Sequence, residues 1–161
     1  MLSKITPCLW FDTQAEEAAR FYVSVFKNSK ITAITHYPED MHGKKKGEVL
    51  VVAFELEGQS FTALNGGPMF QLSEAVSFQV DCATQEEIDY YWDKLREGGD
   101  PECQQCGWLK DKFGASWQIV PSIMTDYVND LTNAGSLRAF KAMCEMRKMD
   151  IAALKKAYDG R

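Results

Sequence analysis

LWFDTQAEEAARFYVSVF (residues 9–26) and FQVDCATQEEIDYYWDKL (residues 78–95) follow one pattern. Each begins with a strand-like segment that ends in Asp and continues, after a short connection, into a helical pattern. Thr13-x-x-Glu16 and Thr84-x-x-Glu87 both fit the capping box, in which a threonine hydroxyl and a glutamate carboxylate satisfy free N–H groups of the first helical turn. We therefore predict that the two helices begin by the same device.

An apolar stripe with the spacing i, i+3, i+4 and i+7 runs along each predicted helix. Its members are Ala18, Phe21, Tyr22 and Val25 in the first helix and Ile88, Tyr91, Trp92 and Leu95 in the second. The stripes start at residues 18 and 88, and this offset of 70 residues is too long for a solenoid repeat. It indicates a duplicated module, in which each helix packs on a sheet of its own copy.

Short strand-like segments follow each helix. They cover residues 30–37, 48–58 and 60–67 in the first copy and residues 103–105, 107–111 and 116–120 in the second. Each copy therefore has the order β-α-β-β-β, and the predicted fold class is α+β with two βαβββ modules plus C-terminal helices. We predict a single domain over residues 1–161, with module one at about 2–68, module two at about 73–121 and a helical tail at 122–161. Ser136 and Asp150 are the predicted caps of the tail helices.

The composition is that of an ordinary globular protein, with 45% hydrophobic residues, 25% charged residues and a net charge of −5. This acidic balance argues against a nucleic-acid partner, because phosphate binding needs a basic face and the one dense basic run is residues 44–46. No apolar stretch reaches the roughly 20 residues of a membrane span, and the start MLSKITP lacks a signal-peptide core. We expect a cytoplasmic protein with no membrane partner and with reduced cysteines.

Two such modules in about 120 residues resemble the vicinal oxygen chelate superfamily of glyoxalase, bleomycin-resistance and extradiol-dioxygenase domains. The segments ITPCLWFDTQAEEAARFYVSVF, ALNGGP, SEAVSFQVDC, CGWLKDKFGASWQIVP and the tail MDIAALKKAY resemble its PhnB-like branch, whose domain is named 3-demethylubiquinone-9 3-methyltransferase. The resemblance implies a glyoxalase/bleomycin-resistance/dioxygenase-like cupped sheet, in which two modules enclose a pocket, and it implies a homodimer.

The resemblance also implies where a metal would bind, because metal-dependent relatives take one ligand from the first strand and one from the fourth strand of each module. The corresponding positions here are Thr6, Ala63, Ala75 and Gln118. We expect only Gln118 to be able to bind a metal, whereas a divalent ion needs three or four convergent nitrogen or oxygen donors. His36 and His42 fall at a strand end and in a charged loop. We therefore predict no metal site and no cofactor.

Strand alternation predicts which side chains face the pocket. The side chains assigned to the core are Leu9, Phe11, Leu64, Phe78, Val80, Trp117 and Ile119. The predicted ligand-binding residues are Cys8, Trp10, Asn65, Ser77, Gln79, Trp108, Ser116 and Gln118, with Phe70 at the rim. This mixture of aromatic rings, amides and hydroxyls is typical of a small-molecule site, and none of these groups is a convincing general base.

Cys8 and Cys106 are the candidate nucleophiles. A reactive thiol needs a cationic or histidine neighbour that lowers its pKa, and the pattern places neither beside them, so a buried packing role is favoured for both. Cys103-x-x-Cys106 has no two further ligands in its pattern that would indicate zinc.

The leading hypothesis is a metal-independent protein that binds a small organic molecule, with any catalysis and its residues left open. One alternative is a metal-dependent lyase, isomerase or dioxygenase of the same fold, and another is a drug- or metabolite-sequestering protein. A third is the methyltransferase that the family name suggests. It lacks visible machinery, because Asn65-Gly66-Gly67-Pro68 leads into a linker rather than into the helix of a common cofactor-binding turn.

Overall fold

The computed structural model describes residues 4–161, which form two compact units divided between Leu72 and Ser73. Within residues 4–72 the first unit holds β1 (Cys8–Phe11), α1 (Ala15–Val25), β2 (Lys30–His36), β3 (Val49–Leu56) and β4 (Gln59–Asn65). The second unit holds β5 (Ser77–Cys82), α2 (Gln85–Leu95), β6 (Trp108–Lys110), β7 (Ser116–Pro121), α3 (Met124–Val128), α4 (Ala134–Glu145) and α5 (Ile151–Asp159). The predicted α+β class is confirmed, while the predicted start of module one, at residue 2, lies outside the described residues.

The sheet of the first unit has the strand order β1-β4-β3-β2. Strand β1 pairs parallel with β4, and the other neighbours are antiparallel. Helix α1 covers one face through its predicted stripe: Tyr22 is fully buried and stacks on Phe54 of β3, whose ring stacks on Phe61 of β4. Burying one large apolar side chain contributes about 1.5–3 kcal/mol. The opposite face of this sheet, which we call the first open face, is not covered by α1.

Helix α1 does not begin as predicted. Its N-cap residue, Gln14, makes no side-chain capping bond, and Glu16 pairs with Arg20 at 2.6 Å instead of reaching back to Thr13. The backbone N–H of Ala15 donates to Oδ1 of Asn65, at the end of β4, over 2.8 Å. The predicted capping box of Thr13 and Glu16 is therefore wrong, because a strand residue distant in sequence already supplies the acceptor.

Helix α2 does begin with a local cap. Oγ1 of Thr84 accepts a hydrogen bond from the backbone N–H of Glu87 (3.3 Å). The Glu87 carboxylate in turn accepts from the backbone N–H of Ala83 (2.8 Å), one residue before the expected partner. The predicted cap at Thr84 is confirmed, with this shift of one residue in the reciprocal bond.

The sheet of the second unit has only three strands, in the order β5-β7-β6. Helix α2 packs on one face of it, and the other face is the second open face. The strand predicted at residues 103–105 is wrong, because Pro101–Cys103 forms a single turn of 3-10 helix. Pro101 has no N–H to give to a strand ladder, and the Asp100 side chain caps this turn by accepting from the N–H of Glu102 (2.9 Å).

The tail of the chain packs within the second unit. The Gln85 amide at the start of α2 donates to the carbonyl of Met149 (3.1 Å) and accepts from the N–H of Ile151 (3.0 Å). Asp150 caps α5 as predicted, but the predicted cap at Ser136 is wrong. Asn133 caps α4 instead, because its Oδ1 accepts from the backbone N–H groups of Gly135 and Ser136. Among residues 4–161, no helix is long and apolar enough to cross a membrane.

Candidate functional site

The first open face carries an aromatic platform built on Trp10 of β1. The indole Nε1 of Trp10 donates to the carbonyl of Gly67 (2.8 Å), and Phe70 meets its ring edge-on at 5.0 Å between centroids. A Cβ atom on Gly66 would come within 2.2 Å of the indole, so only glycine lets the ring lie on this backbone. The ring of Phe70 stays 58% exposed. The platform therefore offers a fixed indole and an accessible phenyl ring to a flat molecule.

This packing explains the turn that resembled a cofactor loop. Gly66 leaves room for the Trp10 indole because it has no Cβ atom, and the carbonyl of Gly67 accepts a hydrogen bond from that indole. No helix follows the turn, since the next regular element is strand β5. Packing against Trp10 therefore accounts for the glycines of residues 66–67.

Asn65 lies on the opposite side of the first sheet from Trp10. Because β1 pairs with β4 in the register Leu9 to Ala63 and Phe11 to Asn65, Ala63 and Asn65 share the helix-covered face. The prediction that these two residues face the pocket and that Leu64 faces the core is therefore wrong. The Asn65 amide is buried and donates to the carbonyl of Val49 (3.0 Å), in addition to capping α1.

A separate cavity of about 290 Å³ lies at the start of α1. Its lining includes Asn65, together with Thr13, Glu16, Lys44, Glu48 and Val49. The ammonium of Lys44 is already occupied by the carbonyl of Asp12 at 2.8 Å. The side chain of Asn65 thus serves the start of a helix and not the first open face.

The second open face carries a row of hydrogen-bonded polar side chains. The Gln118 amide on β7 donates to Oγ of Ser77 on β5 (2.8 Å) and accepts from the amide of Gln79 (3.3 Å). Trp108 lies directly opposite Gln118 on β6, so its indole borders the same row. Ser77, Gln79 and Gln118, called the amide row below, can each still bind a further donor or acceptor.

Ser116 completes this face but is covered. It pairs in register with Ser77 on one side and Lys110 on the other, and only 2% of its surface is exposed. Within residues 4–161 its Oγ has no hydrogen-bond partner. A buried hydroxyl without a partner costs about 1–3 kcal/mol, so bonding Ser116 to a ligand oxygen would be favourable.

Lys110 brings a charge to the second open face. Its ammonium lies 2.5 Å from the carboxylate of Glu74, and this bond raises the pKa of Lys110 and lowers the pKa of Glu74. Both groups therefore remain charged at neutral pH, and neither is suited to proton transfer. The nearby Cys103 thiol has a raised pKa, first because of burial and then because of the charge on Asp100.

The sequence pattern places Lys110 in the strand-like segment 107–111 without indicating a role for it, and it indicates no role for Glu74. The alternation of β6 could have placed Lys110, because Leu109 lies in the core and its two neighbours must face the other way. Glu74 lies outside the strands, where no periodicity predicts its direction.

Asp111 explains the sequence signature CGWLKDKFGASWQIVP. Its buried carboxylate accepts from the backbone N–H groups of Phe113 (2.8 Å) and Ala115 (3.0 Å) and from the indole of Trp117 (2.8 Å). The aspartate thus holds the turn between β6 and β7 and ties it to the core. Most residues of this signature have a packing role. Four of them lie on the second open face: Trp108, Lys110, Ser116 and Gln118.

Of the four positions at which the resemblance implies a metal ligand, two cannot bind a divalent ion and a third is already bonded to other side chains. Ala63 and Ala75 have no donor atom, Ala63 lies on the wrong face, and the amide of Gln118 is bonded to Ser77 and Gln79. No group of three or more His, Cys, Asp and Glu side chains that could hold a metal occurs among the described residues. His36 ends β2, and His42 sits in an exposed turn.

Comparison with known proteins agrees with this geometry. A family model described as 3-demethylubiquinone-9 3-methyltransferase matches residues 3–120. A PhnB protein from Bacillus cereus, which carries the same methyltransferase description, is 39% identical, with a TM-score of 0.64 over 74% of this chain and 99% of its own. A protein from Pseudomonas aeruginosa is 18% identical, with a TM-score of 0.59 over 74% of this chain and 98% of its own.

A protein from Bacillus cereus described as a possible glyoxalase is also similar, at 13% identity and a TM-score of 0.48 over 73% of this chain and 99% of its own. No curated protein sequence matches the chain. The family match ends at residue 120, so the tail segment MDIAALKKAY, which had contributed to the resemblance, lies outside it.

Proposed function

Since the chain belongs to the 3-demethylubiquinone-9 3-methyltransferase-like (PhnB) family of the vicinal oxygen chelate superfamily, we propose that it binds a small organic molecule without a divalent metal ion. The observation that carries this proposal is the amide row of Ser77, Gln79 and Gln118. Gln118, the one residue that could bind a metal among the four positions implied by the resemblance, is bonded to Ser77 and Gln79 in this row, and the row presents neutral hydrogen-bonding groups.

The amide row selects the chemistry of the ligand. Amide and hydroxyl groups bind carbonyl, hydroxyl and amide functions, and a ligand that lacks these functions would leave the row without new partners. Trp108 borders the row and can stack on a planar group. We therefore propose a ligand that combines a flat ring with neutral oxygen or nitrogen functions.

The proposal describes binding and assigns no reaction. The charged groups of the second open face, Lys110 and Glu74, hold each other in their charged states. The amides and hydroxyls beside them do not titrate near neutral pH, so no acid and base pair is available there. Sequestration of a small molecule therefore fits the residues better than catalysis does.

Binding to a panel of phenols, aromatic amides and hydroxylated aromatic acids tests the proposal. Thermal shift identifies a binder, and calorimetry then measures its Kd in the presence of EDTA. We expect Gln118→Ala to raise Kd by about tenfold or more, the equivalent of one or two hydrogen bonds. Gln59→Ala is the matched control, because that glutamine is exposed at the start of β4 and should leave Kd unchanged.

Three results would contradict the proposal. Binding that appears only after addition of Mn²⁺ or Fe²⁺ would favour the metal-dependent alternative. Binding unaffected by Gln118→Ala would place the site elsewhere. Tight binding of S-adenosylmethionine, with methyl transfer to a phenol of the panel, would support the methyltransferase that the family name describes.

We also propose a homodimer, which rests on the resemblance alone. Light scattering during gel filtration measures the mass in solution directly. Twice the chain mass of 18.2 kDa is expected, and a mass equal to one chain at micromolar concentration would contradict it.

A further inference from the structure

Cys106 lies in a tight turn just before β6. Residues 105–108 are closed by hydrogen bonds from the N–H of Trp108 to the carbonyl of Gln105 (2.8 Å) and from the N–H of Gln105 to the carbonyl of Trp108 (3.2 Å). Cys106 and Gly107 hold the central positions with φ angles of 52° and 80°, the geometry of a type I′ turn. The direction of the Cys106 side chain is therefore fixed by the backbone around it.

The turn is bonded to the chain that follows α4. The N–H of Cys106 donates to the carbonyl of Met146, and the N–H of Gly107 donates to the carbonyl of Arg147, both at 2.8 Å. The thiol of Cys106 donates to the carbonyl of Cys144 at 3.5 Å, within the range for sulfur. These contacts hold residue 106 beside residue 144 in the folded protein.

Cys106 also influences the thiol of Cys144. The pKa of Cys144 is raised first by burial and then by the charge of Cys106 and a hydrogen bond with it. Both side chains are half-buried, so a small oxidant can reach them. The other thiols of this unit have different surroundings, since Cys82 is buried with a pKa raised to about 12 and Cys103 contacts the carboxylates of Asp100 and Glu74.

We propose that Cys106 and Cys144 form a reversible disulfide bond on exposure to a hydroperoxide, and that this bond locks the tail onto the sheet of the second unit. The Cys106 thiolate attacks the peroxide, the O–O bond breaks, and a sulfenic acid forms while water or an alcohol leaves. The sulfur of Cys144, after loss of its proton, attacks the sulfenic sulfur. The S–S bond forms and a water molecule leaves, and a dithiol returns both cysteines to thiols.

The disulfide bond would join the part of the chain that matches the family to the tail that lies beyond the match. Cys106 lies inside the family match, which covers residues 3–120, whereas Cys144 lies in the tail beyond it. The closed loop spans 38 residues, so the bond would restrict the unfolded chain considerably. This inference is independent of the proposed ligand, because neither cysteine belongs to the amide row.

Peptide mapping of the full chain tests the bond. The protein is treated with hydrogen peroxide, blocked with N-ethylmaleimide and digested with trypsin, which cleaves after Arg96, Lys110, Lys141 and Arg147. We expect peptides 97–110 and 142–147 to be cross-linked with the loss of two hydrogen atoms, and to separate after dithiothreitol. We also expect Tm to rise by roughly 5–10 °C on oxidation and to return on reduction.

Three variants make the result specific. Cys106→Asn removes the thiol but suits a type I′ turn, so the fold should persist while the cross-link and the Tm rise disappear. Cys144→Ser should also lose both. Cys103→Ser is the matched control, because Cys103 lies in the same tryptic peptide and its substitution should preserve the cross-link.

Two outcomes would overturn the proposal. One is a cross-link that survives Cys106→Asn or is lost in Cys103→Ser. The other is a folded, peroxide-treated protein in which both cysteines still react with N-ethylmaleimide. If Cys144→Ser fails to fold, Cys106→Asn and the unmodified chain still decide between the outcomes, because the cross-link is read directly from the peptides.

Discussion

The two units differ in where the residue that caps the helix lies: after the helix in the sequence of the first unit, and before it in the second. Helix α1 takes its cap from Asn65, 50 residues further on, whereas α2 takes its cap from Thr84, three residues before the donor. Both helices nevertheless have the same length and pack a stripe of the same spacing on a sheet. A duplicated module thus keeps the packing of its helix while the groups that satisfy the helix end change.

The open faces of the two units also differ in the groups that hold their side chains in place. The first carries the Trp10 platform, in which an indole is fixed by the backbone of residues 66–67. The second carries the amide row, in which side chains bond to each other and remain half-exposed. The buried amide of Asn65 and the exposed amides of the amide row therefore have different roles in this protein. Substitutions at these positions should distinguish the two roles.

The largest effect is expected from Asn65→Ala. It leaves the buried N–H of Ala15 and the part-buried carbonyl of Val49 without this partner, which should lower the free energy of unfolding by about 2–4 kcal/mol. Thr84→Ala, the equivalent change in the second unit, should cost only about 1 kcal/mol. Urea unfolding followed by circular dichroism measures both, and equal losses would show that the two caps do not differ.

A smaller loss is expected from Gly66→Ala. The new Cβ would collide with the Trp10 indole, so the ring must move, and this should cost about 1–3 kcal/mol. The control is Gly67→Ala, where nothing lies within 4 Å and only the backbone conformation is strained. Fluorescence measures the ring position: the emission of Trp10 should shift in Gly66→Ala, and an unshifted spectrum would contradict the close packing.

Gln118→Ala should cost less than about 1 kcal/mol in stability, although it removes two hydrogen bonds as Asn65→Ala does. Its partners Ser77 and Gln79 are partly exposed and can bond water instead. The same urea experiment checks this value. A loss as large as that of Asn65→Ala would mean that the amide row supports the fold, and its use as a ligand site would then lose its main argument.

The smallest expected effect is a difference in thiol reactivity between Cys8 in the first unit and Cys82 in the second. Cys8 is exposed in the first sheet, whereas Cys82 is buried in the second with its pKa raised to about 12. At pH 8.5 the Cys82 thiol keeps its proton, so iodoacetamide should modify Cys8 within minutes and leave Cys82 intact until the protein unfolds. Mass spectrometry of tryptic peptides measures both, and equal labelling in the folded protein would contradict the burial.

Local periodicity accounts for what could be predicted from the sequence. The stripe of each helix, the flanking strands other than the one expected at residues 103–105, and the cap at Asp150 depend on residues a few positions apart, and these are found in the structure. The positions of Ser77, Gln79, Trp108, Ser116 and Gln118 on one face follow from strand alternation in the same way. Their role in ligand binding stays a prediction.

The errors arose where a distant residue or a competing cap intervened. Asn65 is polar and lies in the core, and Leu64 is apolar and lies on the first open face, so polarity alone assigned both to the wrong side. Oδ1 of Asn65 replaced the local cap of α1. Asn133 took the place expected for Ser136, because both can cap a helix and the choice depends on where the chain turns.

The distant cap of α1 has a consequence for the order in which the first unit folds. Its acceptor arrives only with the last residue of β4, and β4 is also the parallel partner of β1, so the beginning and end of this unit must meet before either is complete. Contacts between positions so far apart in sequence make folding slow, because the loop between them must close first. The cap of helix α2 is local in sequence, so its formation does not wait for a long loop to close. This helix can therefore be partly formed before the strands of the first sheet have paired in their final register.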